Sequence, residues 1–244
     1  MSELAGRTAF VTGAASGIGA AIVARFRAAG ARVAGIDRMP GSASDHDILV
    51  DLRDDAALAA GLAAAFEATG APTILVHAAA ASHHGGCLDT DPATFLDLYD
   101  VNVAGAVRLL QACVPRMRAA GGGAIVMLSS INARFATPTL AAYAATKAAL
   151  DNLVQTAALE LAPHAIRVNA IAPASVDTPA MRASYARAED PEEARRGNIA
   201  RHPLARLGTP EEVAELALFL VSERAQWITG STYAIDGGAH VTRR

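Results

Sequence analysis

Short, fully apolar runs alternate with longer segments that repeat apolar residues every three or four positions. Thr8-Ala9-Phe10-Val11-Thr12 reads as a buried strand, and Ala20 to Ala29, closed by Gly30, as an amphipathic helix. Arg32 to Ile36 and Ile48-Leu49-Val50 are the next two strands. Asp54 or Asp55 starts a helix carrying Leu58, Leu62 and Phe66, which Gly70-Ala71-Pro72 stops. Thr73 to Val76 is a fourth strand. Asp91-Pro92 opens one long helix with Phe95, Leu98, Asn102, Gly105 and Leu109 on a face, ended by Gly121-Gly122-Gly123. Ala124 to Leu128 is a fifth strand, and a helix follows from near Ala141 to about Leu161. Ile166 to Ile171 is a sixth strand, broken by Pro173. Thr209-Pro210-Glu211-Glu212 supplies a cap, a proline and an acidic first turn for a helix through Val221, and Thr232 to Ile235 is the last strand.

Two stretches break this rhythm. Met39 to Asp47 reads as loop, so the crossover there is abbreviated. Met181 to His202 mixes charges with Pro191 and Gly197 and reads as a partly helical, mobile flap, about residues 179–203. With no repeat and no linker, residues 1–244 are expected to form a single domain.

Composition narrows the function classes. Apolar content of 52% and charge of 18% describe a packed globular chain. The formal net charge of -3 offers no basic field for nucleic acid. Every apolar run is broken well before the ~20 residues that a membrane span needs. Met1 to Arg7 lacks a basic segment followed by an apolar one, so no secretory signal and a cytoplasmic location are expected. Cys87 and Cys113 are expected as free thiols. The adjacent pair His83-His84 has poor geometry for one metal, and no metal is expected.

Chemistry concentrates at the strand ends. Gly13-Ala14-Ala15-Ser16-Gly17-Ile18-Gly19 lies between a strand and a helix start, the context of a phosphate-binding turn. Gly13 permits the turn, and Gly17 and Gly19 allow close approach to a pyrophosphate and to the sheet. Asp37 ends the second strand, where a carboxylate accepts hydrogen bonds from ribose hydroxyls and repels a ribose phosphate. Asp51 either reaches an adenine amino group or caps the next helix. His77 reads as structural or supporting. Asn102 interrupts an apolar face, so it either ties down a neighbouring strand or holds a water. Ser129-Ser130 closes the fifth strand. Tyr143 and Lys147 share one helix face at i and i+4, which places an ammonium near a phenol and favours the phenolate.

Together these residues resemble the short-chain dehydrogenase/reductase family over about residues 5 to 239. The resemblance rests on Thr12 to Gly19, Asn102, Ser130, Tyr143 with Lys147, Arg167-Val168-Asn169, Pro173 with Thr178, and Asp236-Gly237-Gly238. It implies an α/β, doubly wound Rossmann-type fold, with a seven-stranded parallel sheet and helices on both faces. It implies NAD(P)-dependent interconversion of an alcohol and a ketone, usually by a homotetramer. It assigns Tyr143 as acid/base, Lys147 as its pKa modulator and ribose ligand, Ser130 as substrate-oxygen ligand and Asn102 as part of a proton relay. Gly13, Ser16, Ile18 and Gly19 would line the pyrophosphate, Thr178 would bind the carboxamide, and Leu52, Ala79, Pro173 and Val176 complete the cofactor set with Asp37 and Asp51.

Asp37 favours NAD over NADP. An NADPH-dependent ketoreductase of the 3-ketoacyl type is the alternative, and a non-catalytic dinucleotide sensor a weaker one. His83, Asn132, Phe135, Ala174, Met181 and Tyr185 are expected to wall a pocket for a small polar alcohol, polyol, sugar acid, hydroxy acid or cyclic diol. Two positions leave the family pattern. His77-Ala78-Ala79-Ala80 stands where Asn-Asn-Ala-Gly is usual, which removes an amide that braces the sheet. Ala174 replaces a glycine after Pro173 and narrows the nicotinamide end.

Overall fold

The computed structural model describes residues 2–242; Met1, where the leader reading starts, lies outside the described residues, as do Arg243 and Arg244. Seven parallel strands form one sheet: β1 (Thr8–Thr12), β2 (Arg32–Asp37), β3 (His46–Leu49), β4 (Ile74–His77), β5 (Gly123–Leu128), β6 (Ile166–Pro173) and β7 (Thr232–Ile235). Their order is β3-β2-β1-β4-β5-β6-β7. The direction of winding reverses between β1 and β4, which opens a crevice at their carboxyl ends. The α-helices are α1 (Gly17–Ala28), α2 (Asp55–Thr69), α3 (Pro92–Tyr99), α4 (Gly105–Ala119), α5 (Ala141–Leu161), α6 (Pro179–Tyr185), α7 (Pro191–Ile199), α8 (Pro210–Val221) and α9 (Ala239–Thr242).

Side chains alternate across each strand, so the sheet builds two cores. Ala9 and Val11 of β1 meet Ile22, Val23 and Phe26 of α1 and Val213, Ala217 and Leu220 of α8. Phe10 points the other way, into Leu58 and Leu62 of α2, Leu109 and Cys113 of α4, and Leu150 and Val154 of α5. Burial on both faces accounts for the unbroken apolar runs of these strands. It also pushes the Cys113 thiol up to about 12.

Three boundaries differ from the sequence expectation. β3 starts at His46, inside the expected loop, because parallel pairing with β2 runs from Ala34↔His46 to Asp37↔Leu49. β6 continues through Pro173, which pairs with Ile235 of β7. Its pairing with β5 ends at Leu128↔Ile171, so the missing Pro173 N–H costs no ladder bond on that side. The expected single helix from Pro92 is interrupted by a π-turn over Asp100–Ala104, which contains Asn102. No helix lies between β2 and β3, as the composition of that stretch suggested.

Candidate active site

The glycine loop joins β1 to α1 at the crevice. Gly13 has φ +69°, and a Cβ there would lie 2.9 Å from the Ala79 nitrogen. Gly17 has φ +56°. A Cβ on Gly19 would collide with the Gly13 carbonyl. These glycines hold the turn flat against the loop after β4 and leave room above the first turn of α1. Helix α1 starts at Gly17 rather than near Ala20, so Ser16 is its N-cap residue, and its hydroxyl makes no capping bond. The loop therefore presents backbone N–H groups and a hydroxyl to an anion.

This loop forms one wall of a cavity of about 460 Å³. Gly13, Ser16, Ile18, Gly19, Asp37, Asp51, Leu52, Ala79 and Thr178 all line it. Tyr143, Lys147, Pro173 and Val176 are not among its walls. Asp37 accepts a hydrogen bond from the Ala15 N–H at 3.0 Å on Oδ2 and from the Met39 N–H at 2.9 Å on Oδ1. Each oxygen retains a lone pair for a ribose hydroxyl. The glycine cradle and this acceptor set fit a dinucleotide.

Asp51 does not cap α2; Asp54 does, by accepting from the Ala57 N–H. Arg53 grips Asp51 through Nε at 3.0 Å and a terminal nitrogen at 2.7 Å, and also reaches Asp97 on α3. The pair holds the Asp51 carboxyl down at about 2. Arg53 thus spans the end of the groove beside Asp51, a bridge with no sequence periodicity to announce it. A larger cavity, about 690 Å³, lies at the opposite edge of the sheet against Arg7, Thr73, Arg167 and Trp227. It is remote from all these groups.

The second half of the site is built on β5 and α5. Ser130 follows β5, is buried, and accepts a hydrogen bond from the Asn132 N–H at 3.1 Å. Its hydroxyl meets the Tyr143 phenol and favours the phenolate. Lys147 is 1% exposed, and its Nζ lies 5.5 Å from the Tyr143 ring centroid and donates to the Leu128 carbonyl at 2.6 Å. The sequence predicted that this ammonium would lower the phenol. Burial instead raises Tyr143 above its ordinary value, outweighing the Ser130 hydrogen bond. Burial also lowers Lys147 to about 8, against the raising influence of Asp151. Desolvation penalises both charged forms, so each group moves toward its neutral state.

Asn102 is fully buried. Its Oδ1 accepts from the Ala81 N–H at 2.7 Å, and its Nδ2 donates to the Ala81 carbonyl and to Thr146 Oγ1, each at 2.9 Å. Thr146 Oγ1 in turn donates to the Tyr143 carbonyl at 2.7 Å. The amide therefore clamps the loop after β4 to α5, the first of the two sequence expectations for it. Both of its N–H groups are engaged, which leaves one acceptor lone pair on Oδ1 for a water.

The segments that carry the residues expected to wall a substrate are held by specific contacts. Gly85 bridges to Leu140, which docks the loop after β4 against the start of α5. Thr137 donates to Asn132 Oδ1 at 2.9 Å, and the Phe135 ring meets the His240 ring at 6.5 Å. The segment between β6 and α8 holds two helices, α6 and α7, both capped by side chains. Ser175 donates to Asn198 Oδ1 at 2.8 Å, and Asn198 Nδ2 donates to the Tyr185 hydroxyl at 2.7 Å. These bonds tie both helices to the end of β6.

Comparison with known proteins now adds to this geometry. A family model described as enoyl-(acyl carrier protein) reductase matches residues 13–240. The oxidoreductase UcpA of Escherichia coli strain K12 is 38% identical, over 98% of this chain and 96% of its own length. The chain belongs to the short-chain dehydrogenase/reductase family. Solved structures of the family superpose closely. Aldohexose dehydrogenase of Thermoplasma acidophilum gives a TM-score of 0.93 at 31% identity, over 98% of this chain and 96% of that one. L-sorbose reductase of Gluconobacter frateurii, complexed with NADPH and L-sorbose, gives 0.91 at 30% identity, over 98% of both. As a short-chain dehydrogenase/reductase, the chain is an NAD(P)-dependent oxidoreductase acting on CH–OH groups. No helix among the described residues is long and apolar enough to cross a membrane. No metal-binding cluster of His, Cys, Asp or Glu occurs among them.

Proposed function

We propose that this chain interconverts a secondary alcohol and a ketone with NAD, using Ser130, Tyr143, Lys147 and Asn102. The convergence of Ser130, Tyr143 and Lys147 around the end of β5 carries the reading. When bound, the nicotinamide supplies C4 as hydride acceptor and, in oxidised form, a positive ring. Ser130 donates its hydroxyl to the substrate oxygen and steadies charge there. Tyr143 takes the alcohol proton at its phenolic oxygen as hydride leaves the carbinol carbon. Burial alone keeps Tyr143 neutral, so the phenolate relies on Ser130 and on positive charge beside the ring. Lys147, with a value near 8, is charged enough at neutral pH to contribute. Asn102 keeps the loop after β4 and the Tyr143 helix in register, and the remaining lone pair on its Oδ1 suits a relay water.

Asp37 supports NAD, since a ribose phosphate would face its carboxylate. The NADPH in the L-sorbose reductase structure and the exposed Arg38 beside Asp37 support the ketoreductase alternative. The names of the two structural neighbours, an aldohexose dehydrogenase and a sorbose reductase, favour a sugar or polyol within the expected substrate range. The test is a panel of polyols, aldoses, sugar acids, cyclic diols and 3-ketoacyl esters with both cofactors, followed by NAD(P)H absorbance. Turnover of a polyhydroxylated alcohol with NAD is expected, and Asp37→Ala should shift preference toward NADP. A wild-type preference for NADPH would overturn the cofactor assignment. No turnover of any member would favour the sensor.

A further inference from the structure

His77 ends β4 and is 1% exposed, yet nothing in the catalytic reading uses it. Both ring nitrogens are bonded. Nδ1 lies 3.1 Å from Thr12 Oγ1, at the end of β1. Nε2 lies 3.2 Å from the Asn102 carbonyl, in the π-turn.

The proton positions follow from counting. A threonine hydroxyl has two lone pairs and one hydrogen. Thr12 Oγ1 accepts from both the Ala78 and the Ala79 N–H, each at 3.0 Å. Only its hydrogen is left for His77, so Thr12 donates and Nδ1 accepts. The ring hydrogen then sits on Nε2 and points at the Asn102 carbonyl, which only accepts. Every donor in this set has one acceptor. A hydrogen on Nδ1 would face the Thr12 hydrogen with no lone pair to receive it.

We propose that His77, as the neutral Nε2–H tautomer, is a positioning residue that locks the Asn102 turn to the end of β1. The path is continuous: Thr12, His77, Asn102, Thr146 and the Tyr143 carbonyl follow one another through hydrogen bonds. One end holds the backbone of Ala78 and Ala79, on which Gly13 of the nucleotide loop rests. The other end holds the helix of the acid/base. Ala78 carries no polar side chain, and the imidazole supplies a brace from the neighbouring position. Lys147 is the charged group that acts on His77, and its charge further opposes protonation of the ring.

The test has two arms. Nitrogen NMR of the imidazoles, with His77→Gln used to assign the signal, reads the tautomer directly. His77 should show a bare Nδ1, a protonated Nε2 and no titration between about pH 5 and 9, where an ordinary histidine titrates. A proton on Nδ1, or titration near 6.5, overturns the proposal. The second arm separates the two bonds. The Gln amide reaches the Nε2 position, whereas the shorter Asn reaches only the Nδ1 position. His77→Phe and His77→Asn should lower kcat by about tenfold to a hundredfold, the scale of small misplacements, with the KM for NAD little changed. His77→Gln should recover most of that loss. The Asn102 side-chain amide should exchange slowly in wild type and His77→Gln, and faster in His77→Asn. Equal behaviour of the Gln and Asn variants overturns the proposal. If the Phe variant does not fold, the Gln and Asn pair decides. The kinetic comparison rests on the dehydrogenase reading. Tautomer and amide exchange do not, so failure of either idea is seen separately.

Discussion

Lys147 is nearly inaccessible, and burial lowers it from 10.5 to about 8. Between those values the unfolded chain holds a proton that the native chain has released. The unfolded state binds more protons there, so native stability rises with pH through that window. Relative to Lys147→Met, wild type should gain on the order of 3 kcal/mol between pH 8 and 10.5, as read by urea unfolding at both ends. His77 obeys the same sign at lower pH. Burial lowers it from 6.5 to about 3, so its contribution is whole above 6.5 and is lost as pH falls toward 3. His77→Gln should flatten the acid limb of the unfolding midpoint. Tyr143→Phe should abolish turnover while leaving NADH binding, followed by fluorescence, within about threefold of wild type; an active variant would displace the phenol from its role. Alcohol oxidation, which needs the phenolate, should accelerate as pH rises, and ketone reduction, which needs the phenol, should slow. The apparent value will belong to the Tyr143–Lys147 pair rather than to either group.

At the level of elements, the strands were legible because both faces of the sheet are covered, which leaves each strand a short apolar run. The turn from β1 to α1 was legible because only glycine satisfies its close contacts. Gly13→Ala combines a φ of +69° with a Cβ 2.9 Å from the Ala79 nitrogen. It should weaken NADH binding by at least about tenfold and cost about 1–3 kcal/mol of stability; an unchanged midpoint would show that the Ala78–Ala79 loop yields easily. Thr209 and Glu212 form a reciprocal capping box on α8. Thr209→Ala should cost about 1 kcal/mol by thermal unfolding without altering turnover. The π-turn was not legible. Its residues continue the helical apolar pattern of α3 and α4, and the cause is a distant partner: the Asn102 amide reaching the Ala81 backbone. The fold of the segment between β6 and α8 was also obscured, since its charges describe the outward faces of α6 and α7. Its inward contacts rest on Ser175, Asn198 and Tyr185, which carry no periodic signal.

On the scale of the whole molecule, the carboxyl edge of the sheet gathers the nucleotide groove, Ser130 and the end of β4. The amino edge holds the larger cavity and an almost fully exposed Trp227. Volume alone would point to the wrong edge; chain direction and glycine geometry point to the right one. The outer surface of α3 and α5 shows Leu96, Tyr99 and Leu159 to solvent, with Leu159 81% exposed. Four copies of the 25.0 kDa chain are the expected assembly, and light scattering should return that mass. Leu159→Glu should lower it if α5 lies at a subunit contact. The stretch from Arg38 to Asp45 carries no helix and little of the core; Met39 is 60% exposed, and Arg27 tethers the far end through Ala43 and Asp45. Asp37 sits at the threshold of that stretch. On the proposed reading, the carboxylate that would distinguish NAD from NADP therefore borders a loop with little share in either packed layer. On the proposed reading, substitutions at Asp37 and Arg38 should change cofactor preference while leaving the packing around Tyr143 unchanged.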